Sequence, residues 1–302
     1  MLKNIIVLAC LCLYFNSLYD QNRIIPQSEI KQQIHANIDN NYTSEFGGYY
    51  SLANAHTIDT AKLRIIYDMT VKVDTALYND RVVAEVGTKY SKFYSLLLWE
   101  LSANYSDRSR NVSYDWMRSS RVMFAATIFI DKYLREVSNQ ILMPYEDAQL
   151  YEYREPIPHI EWKLGSVERE IIGYRCTNAF CRYAGRDWEV WYAVDIPSEI
   201  GFWKLNGLPG MILAAESADG EYKFSAISIA QPQSAMTSYR MRIKSLSRER
   251  ILSAEKRLYA NPMVSFFART GQDYYVVFRD GKMEYVSQDA LLPMPYNPIE
   301  LE

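Results

Sequence analysis

Three histidines, His35, His56 and His159, are the first residues to weigh for chemistry, because a Ser/His/Asp or Cys/His site in this chain has to use one of them. His35 falls at a polar position of a helical stretch and reads as solvent-facing. His56 lies in a polar stretch beside Ser51 and Asp59, and nothing in the local pattern orients it. His159 follows Pro158 and precedes Glu161. One imidazole and one carboxylate fall short of the three or four protein ligands a metal site needs. The chain contains no Gly-x-Ser-x-Gly elbow, no His-Glu-x-x-His pair, no phosphate loop and no dinucleotide fingerprint. Glu216 and Asp219 are neighbouring carboxylates at a turn, where solvation explains them. The pattern leans away from catalysis and implies neither metal nor cofactor.

Thiol chemistry is the next candidate. Cys10 and Cys12 lie in an N-terminal apolar run, which leaves Cys176 and Cys181 for the mature chain. On one continuous strand they stand about 16 Å apart, at ~3.3 Å per residue. Bridged Cα atoms lie within about 7 Å, so a disulfide requires a turn at residues 177–180. The continuous strand is the favoured reading, and the bridge is the alternative.

The remaining candidates are binding residues. Trp188 and Trp191 are three apart, so they face opposite sides of a strand, one toward a core and the other toward a groove. Arg186 is expected in a turn, where it can cap a carbonyl, pair with Asp195 or Glu189, or receive an anionic group, the structural ion pair being the favoured reading. Trp203 and Lys204 sit on a glycine-flanked loop, where an exposed Trp would serve as an interface anchor.

That loop leads into Gly207-Leu208-Pro209-Gly210, the most specified backbone in the chain. Pro209 pushes Leu208 into an extended conformation and presets the second position of a turn. Gly210 is expected to supply the positive φ of a type II turn. Met211–Ala215 then reads as a buried strand. The motif is expected to carry the sheet from strand 188–195 to strand 211–217.

Several elements must position these residues. In the 302-residue chain, hydrophobic residues make up 49%, charged residues 23%, and the net charge is −3, so a core forms and a basic nucleic-acid surface is excluded. Twenty-five tyrosines tilt the reading toward sheet. Residues 1–20 read as a secretory signal, with Lys3 before a ~11-residue apolar run too short to span a bilayer. The mature chain carries no transmembrane stretch and is expected to be exported to the periplasm, the outer membrane or the exterior. Residues 21–290 are expected to form one domain, and 291–302 an extended or disordered proline-rich tail.

Within the domain, helices are expected over Pro26–Asn40, Ser245–Ala260 and part of residues 95–101, with a polar arm over 41–61. Strands are expected over 62–75, 81–95, 127–136, 149–153, 160–164, 169–183, 188–195, 211–217, 222–229, 273–278 and 282–286. Turns are expected at Asn79-Asp80, Gly185-Arg186-Asp187, Asp219-Gly220 and Asp280-Gly281. Strands following one another through tight turns predict a mainly β (α+β) fold, a curved antiparallel meander with two or three packed helices.

Four segments carry a family resemblance: residues 153–162, Ile172–Cys176, Gly185–Tyr192 leading to Asp195-Ile196-Pro197, and Gly207–Ile212. On these the chain resembles the GLPGLI family of Bacteroidetes secreted proteins, formerly the Porphyromonas-type family, best over residues 151–230. Met211 replaces the family's Leu, and Phe202 stands where the family has Pro. The resemblance implies an exported envelope protein with no established activity. The meander is also similar to the open half-barrel of lipoprotein carriers, a likeness of architecture alone. The favoured function is binding of an envelope protein partner or an apolar ligand on the sheet. The alternatives are a hydrolase with unrecognised residues and a structural subunit of a surface complex.

Overall fold

A computed structural model describes residues 55–100, 124–142, 150–198, 200–239, 243–260, 274–279, 282–287 and 296–302. The expected signal at 1–20 and the helix at Pro26–Asn40 lie outside these residues. Strand β1 (Ala55–Ala61) belongs to a small separate sheet. Two meanders then follow. The first runs β2 (Leu63–Val73), β3 (Ala76–Val86), β4 (Tyr90–Ser95), β5 (Ala126–Asp131), β6 (Glu136–Leu142) and β7 (Leu150–Pro156). The second runs β8 (Lys163–Ile171), β9 (Tyr174–Tyr183), β10 (Arg186–Ala193), β11 (Met211–Ser217) and β12 (Tyr222–Ala230). Next come β13 (Ser234–Tyr239), which pairs with β1, and β14 (Ile243–Ser245), which adds parallel to β7. β15 (Tyr274–Arg279) and β16 (Lys282–Ser287) form the expected last hairpin.

Antiparallel pairing of β12 with β2 joins the two meanders into one twelve-stranded sheet, ordered β14-β7-β6-β5-β4-β3-β2-β12-β11-β10-β9-β8. The fold is therefore mainly β, as the strand pattern predicts. The chain's own connectivity forces this sheet to curve. β7 and β8 are consecutive in sequence but stand second and twelfth in strand order. Ten spacings of about 4.8 Å would separate them by about 48 Å in a flat sheet. The six residues 157–162 that join them reach about 25 Å at most. The sheet must curl until its two arms approach, yet it stays open, because β8 and β14 each keep one strand neighbour.

Sequence alternation selects the inner face. Along β2, Ile65, Tyr67, Met69, Val71 and Val73 are buried while Asp68 and Lys72 are exposed. β8 is exposed almost throughout, and its charged run Glu168-Arg169-Glu170 suits a sheet edge. The helix Arg248–Ala260 follows β14 and packs Ile251 and Leu258 against Ile141 and Tyr153. It starts three residues later than the expected helix because Ser245 ends β14. Residues 96–100 are helical, as expected of that stretch.

Several expected turns are displaced. Asn79 and Asp80 lie inside β3, paired with Thr70 and Met69, and the reversal occurs at Asp74, which takes φ 54°. The expected strand 81–95 breaks at Gly87, because the Asp59 carboxylate accepts from Lys89 N and Tyr90 N and folds the chain there. The expected strand 127–136 breaks after Asp131, whose Oδ1 accepts from Tyr133 N and Leu134 N in an Asx turn. Strand 169–183 divides at Ile172-Gly173, and the next turn is Ala184-Gly185, both with two consecutive positive φ values as in a type I′ hairpin. Arg186 is therefore the first residue of β10 and not a turn residue. Ala55–Ala61, expected as part of a polar arm, is a strand held by β13.

Candidate functional site

The loop between β10 and β11 does not run over the surface. Phe202, Trp203, Lys204, Leu205 and Leu208 are each no more than 2% exposed, so the segment plugs the hollow of the curled sheet. Phe202 packs edge-on against Tyr67, Phe93 and Phe224 at 5.1–5.4 Å between ring centres. Trp203 packs against Tyr183 and Trp188 at 5.4 and 5.6 Å. Trp203 is thus a core residue and not the exposed anchor expected from the sequence. Its φ of 46° turns the chain inward after Phe202. Trp162 Nε1 donates to Asn206 O (2.8 Å) and Asn206 Nδ2 donates to Pro158 O (3.0 Å), fastening the plug to the short β7–β8 link.

The glycine motif has a different purpose from the expected type II turn. Gly207 has φ 93°, whereas Gly210 is outside the positive-φ set. A Cβ on Gly210 would stand 2.1 Å from Ala193 O and 2.8 Å from Val194 Cα. Gly210 is required because the loop crosses the end of β10 in backbone contact. Ile196 O then accepts from Met211 N at 2.9 Å and starts β11.

Two buried cations organise the site. Strand alternation turns Arg186 to the inner face with Trp188 and Val190, and turns Asp187 and Glu189 away. Arg186 therefore pairs with Asp219 and Glu221 across the sheet, not with Asp195 or Glu189. Asp195 is exposed beyond β10. The Asp219 carboxyl is pushed up by burial, but hydrogen bonds from Ser217 and Glu221 N and the Arg186 charge outweigh this and hold it low. Lys204, fully buried, lies 2.5 Å from both Glu155 on β7 and Glu300.

Residues 296–302 complete this arrangement. Of the tail expected to be extended or disordered, residues 296–302 form an extended strap lying between the sheet and the helix. Arg186 Nη2 donates to Asn297 Oδ1 (2.7 Å) and Pro298 O (2.9 Å), and Arg186 Nε donates to Ile299 O (3.1 Å). Tyr222 Oη donates to Asn297 O, and Leu301 N donates to Ala184 O (2.9 Å). Asn297 Nδ2 donates to Lys72 O at 2.8 Å. Glu300 receives Lys204 on one oxygen and Arg248 on the other at 2.8 Å, and Arg248 also donates to Glu302 O. Tyr296 packs against Tyr259 of the helix with ring centres 4.8 Å apart and the rings tilted by 43°. Leu301 passes so close to Gly185 that a Cβ there would meet it at 2.7 Å.

Beneath the strap is a half-open cavity of about 100 Å³, walled by aromatic residues that include Phe124, Tyr153, Trp203, Tyr222 and Tyr259. Trp203 Nε1 is buried without a hydrogen-bond partner. Glu255 of the helix also faces the cavity and lies 3.5 Å from Tyr296 Oη. Burial raises its carboxyl to about 7, opposed by the Tyr296 hydrogen bond and assisted by the charge of Glu300. The folded state then keeps a proton that the unfolded chain releases above about pH 4.5. Stability should fall as pH rises from about 4.5 to about 7 and stay low beyond. A shift of this size corresponds to at most about 3 kcal/mol, reduced because Glu255 retains some exposed surface. Glu255→Gln is expected to flatten this slope, leaving the variant about 1–2 kcal/mol more stable than the parent at pH 8 and equal to it at pH 4, read from urea midpoints.

The other sequence candidates lie apart. Trp191 is on the outer face, with the Arg169 guanidinium 4.0 Å above its ring. Cys176 and Cys181 are both free and buried on the single strand β9, and burial pushes their thiols up to about 11 and about 12. His159 is exposed, and His56 Nδ1 is buried without a partner. Among the described residues, no group of His, Cys, Asp and Glu could hold a metal, and no helix is long and apolar enough to cross a membrane. The sequence reading missed Tyr222, Arg248, Glu255 and Glu300. The one available signal was the apolar content of the tail, Tyr296, Ile299 and Leu301, beyond what a solvated segment needs.

No family model and no curated protein matches the chain. Among solved structures, it is similar to PNGF-II in two crystal forms, at 13% identity and TM-scores of 0.42 and 0.43, over 74% of this chain. It spans only 35% of the PNGF-II chain. A LolA superfamily protein from Nitrosomonas europaea matches at 10% identity and TM-score 0.22, over 57% of this chain and 85% of that one.

Proposed function

We propose that this chain is an exported envelope protein of the GLPGLI type that acts by binding and not by catalysis, and that its ligand is an extended segment of a protein partner. The groove between the inner sheet face and the helix is the binding site, with residues 296–302 as its internal occupant. One observation supports this most. Part of the strap's attachment runs through its main chain, by Tyr222, Arg186 and Arg248 reaching the carbonyls of Asn297, Pro298, Ile299 and Glu302. Such contacts accept many sequences, and the Lys204–Arg248 pair adds a preference for one acidic residue. The strap also fills its site incompletely. A half-open cavity of about 100 Å³ beside it leaves room for a bulkier segment. A better-fitting segment can therefore compete with it.

The test uses a fluorescein-labelled peptide with the sequence of residues 296–302 and the full chain. Glu300→Gln loosens the internal strap and leaves Lys204 and Arg248 for the peptide's own glutamate. Anisotropy should report at least tenfold tighter binding to this variant than to the parent, and loss of binding when Arg186→Ala is added. Equal or absent binding to parent and variant would make the strap a fixed structural element and end the proposal.

A further inference from the structure

One side chain of the strap is read as closely as its main chain. Asn297 is half-buried, and both the oxygen and the nitrogen of its carboxamide are engaged by the sheet. Its Oδ1 accepts from Arg186 Nη2 at 2.7 Å, while its Nδ2 donates to Lys72 O at 2.8 Å and to Glu221 Oε2 at 2.9 Å. We infer that the groove selects an asparagine in its occupant, and that the partner segment carries this Asn three positions before its acidic residue, as Asn297 stands before Glu300. This asparagine preference rests on the docking reading above and adds to it the residue that the groove recognises.

The groups that meet the carboxamide are built into the sheet. Arg186 opens β10, Lys72 lies near the end of β2, and Glu221 immediately precedes β12. Lys72 N donates to Glu221 O at 2.7 Å, so the pairing of β2 with β12 fixes the two acceptors relative to each other. Arg186 Nη1 donates to Glu221 Oε2 at 2.8 Å, which sets the donor against the same carboxylate. Arg186 is itself 2% exposed. Groups held in this way are in place before an occupant arrives, so little ordering is spent on recognition.

Polarity makes the site selective for an amide. A cationic donor meets one end of it and two acceptors meet the other. Turned over, the carboxamide would set its oxygen against Lys72 O and Glu221 and its N–H groups against Arg186, so one orientation alone is satisfied. Asp has the same shape but no donor. Its second oxygen would face the Glu221 carboxylate and the Lys72 carbonyl, which costs affinity through like charge and unpaired acceptors. The Arg186 guanidinium already serves Asp219 and Glu221, so a third carboxylate gains little from it. Ala forfeits all of the amide's bonds. Lys204 and Arg248 hold the acid of Glu300, so the selected pattern is Asn-x-x-Glu.

Altered peptides provide the test, because changing the peptide leaves the protein's fold untouched. The peptide of residues 296–302 and its Asn297→Asp and Asn297→Ala forms are labelled with fluorescein. Each is titrated into the full chain carrying Glu300→Gln at about pH 7.5, where the carboxylates are ionised. Both altered peptides should bind at least about tenfold more weakly than the parent peptide by anisotropy. The extra negative charge of the Asp form would by itself favour a site containing Arg186, Lys204 and Arg248, so bulk electrostatics predicts the opposite order. Glu221→Gln, added to Glu300→Gln, offers the Asp a donor and should narrow the gap between the Asn and Asp peptides by at least about threefold. Equal binding of the three peptides, or a gap that Glu221→Gln leaves unchanged, would overturn the asparagine preference while the docking groove stands. Absent binding of the parent peptide would end the docking reading and the preference with it.

Discussion

Gly210→Ala is expected to destabilise the protein by at least about 3 kcal/mol and to lower the yield of folded chain, because the added Cβ meets backbone and not a movable side chain. The atoms it strikes are the carbonyl of Ala193, at 2.1 Å, and the Cα of Val194. Relief requires the end of β10 to separate from the entry to β11, and with it the plug that places Phe202 and Trp203 in the hollow of the sheet. Gly207→Ala provides the comparison. Its φ of 93° strains an L residue, but the nearest atom to its Cβ is 3.8 Å away, so it should cost about 1–2 kcal/mol. If strain at positive φ governed the motif, the order would reverse. Denaturant midpoints of the two variants decide between these.

Arg186→Ala is the second large expected effect, at about 3 kcal/mol. Its side chain is fully buried and binds Asp219, Glu221, Asn297, Pro298 and Ile299 at once, with Tyr222 against its guanidinium at 5.0 Å. Removing one partner of such a cluster leaves the others uncompensated, a loss of about 3–5 kcal/mol. The lower end applies because Asp219 and Glu221 retain 38% and 39% exposure. The midpoint of thermal unfolding should drop by roughly 5 °C. Arg186→Lys preserves the charge but not the planar fork that serves two carboxylates and two carbonyls together. It should recover part of the stability and little of the strap's attachment.

The sheet was legible in the sequence because alternation and two-residue turns are local. Asp219-Gly220 and the last hairpin were readable for that reason. The displaced turns share a different cause. The break at Gly87 is set by Asp59, which lies on another strand and is 30 residues before Lys89, whose amide it holds, and no local window contains that contact. The Asx turn at Asp131 was local and could have been read from the Asp and the polar residues after it. The candidate site was half legible. Arg186 and Lys204 stood out, but as a turn residue and an exposed loop residue, since nothing in a single sequence shows that 296–302 returns to lie against them. Trp203 was misplaced for the same reason, because a glycine-flanked loop resembles an exposed one until the curl of the sheet is known.

Hydrogen exchange at Leu301 tests the central claim most directly, because its N–H donates to Ala184 O only while the strap lies in the groove. The full chain is labelled with ¹⁵N and given an excess of unlabelled peptide of sequence 296–302. A Leu301 amide protected in the free protein and losing protection as peptide is added, with β10 and β11 unchanged, is the result predicted for an exchangeable occupant. Protection that persists at saturating peptide, or a Leu301 amide unprotected from the start, would contradict the account.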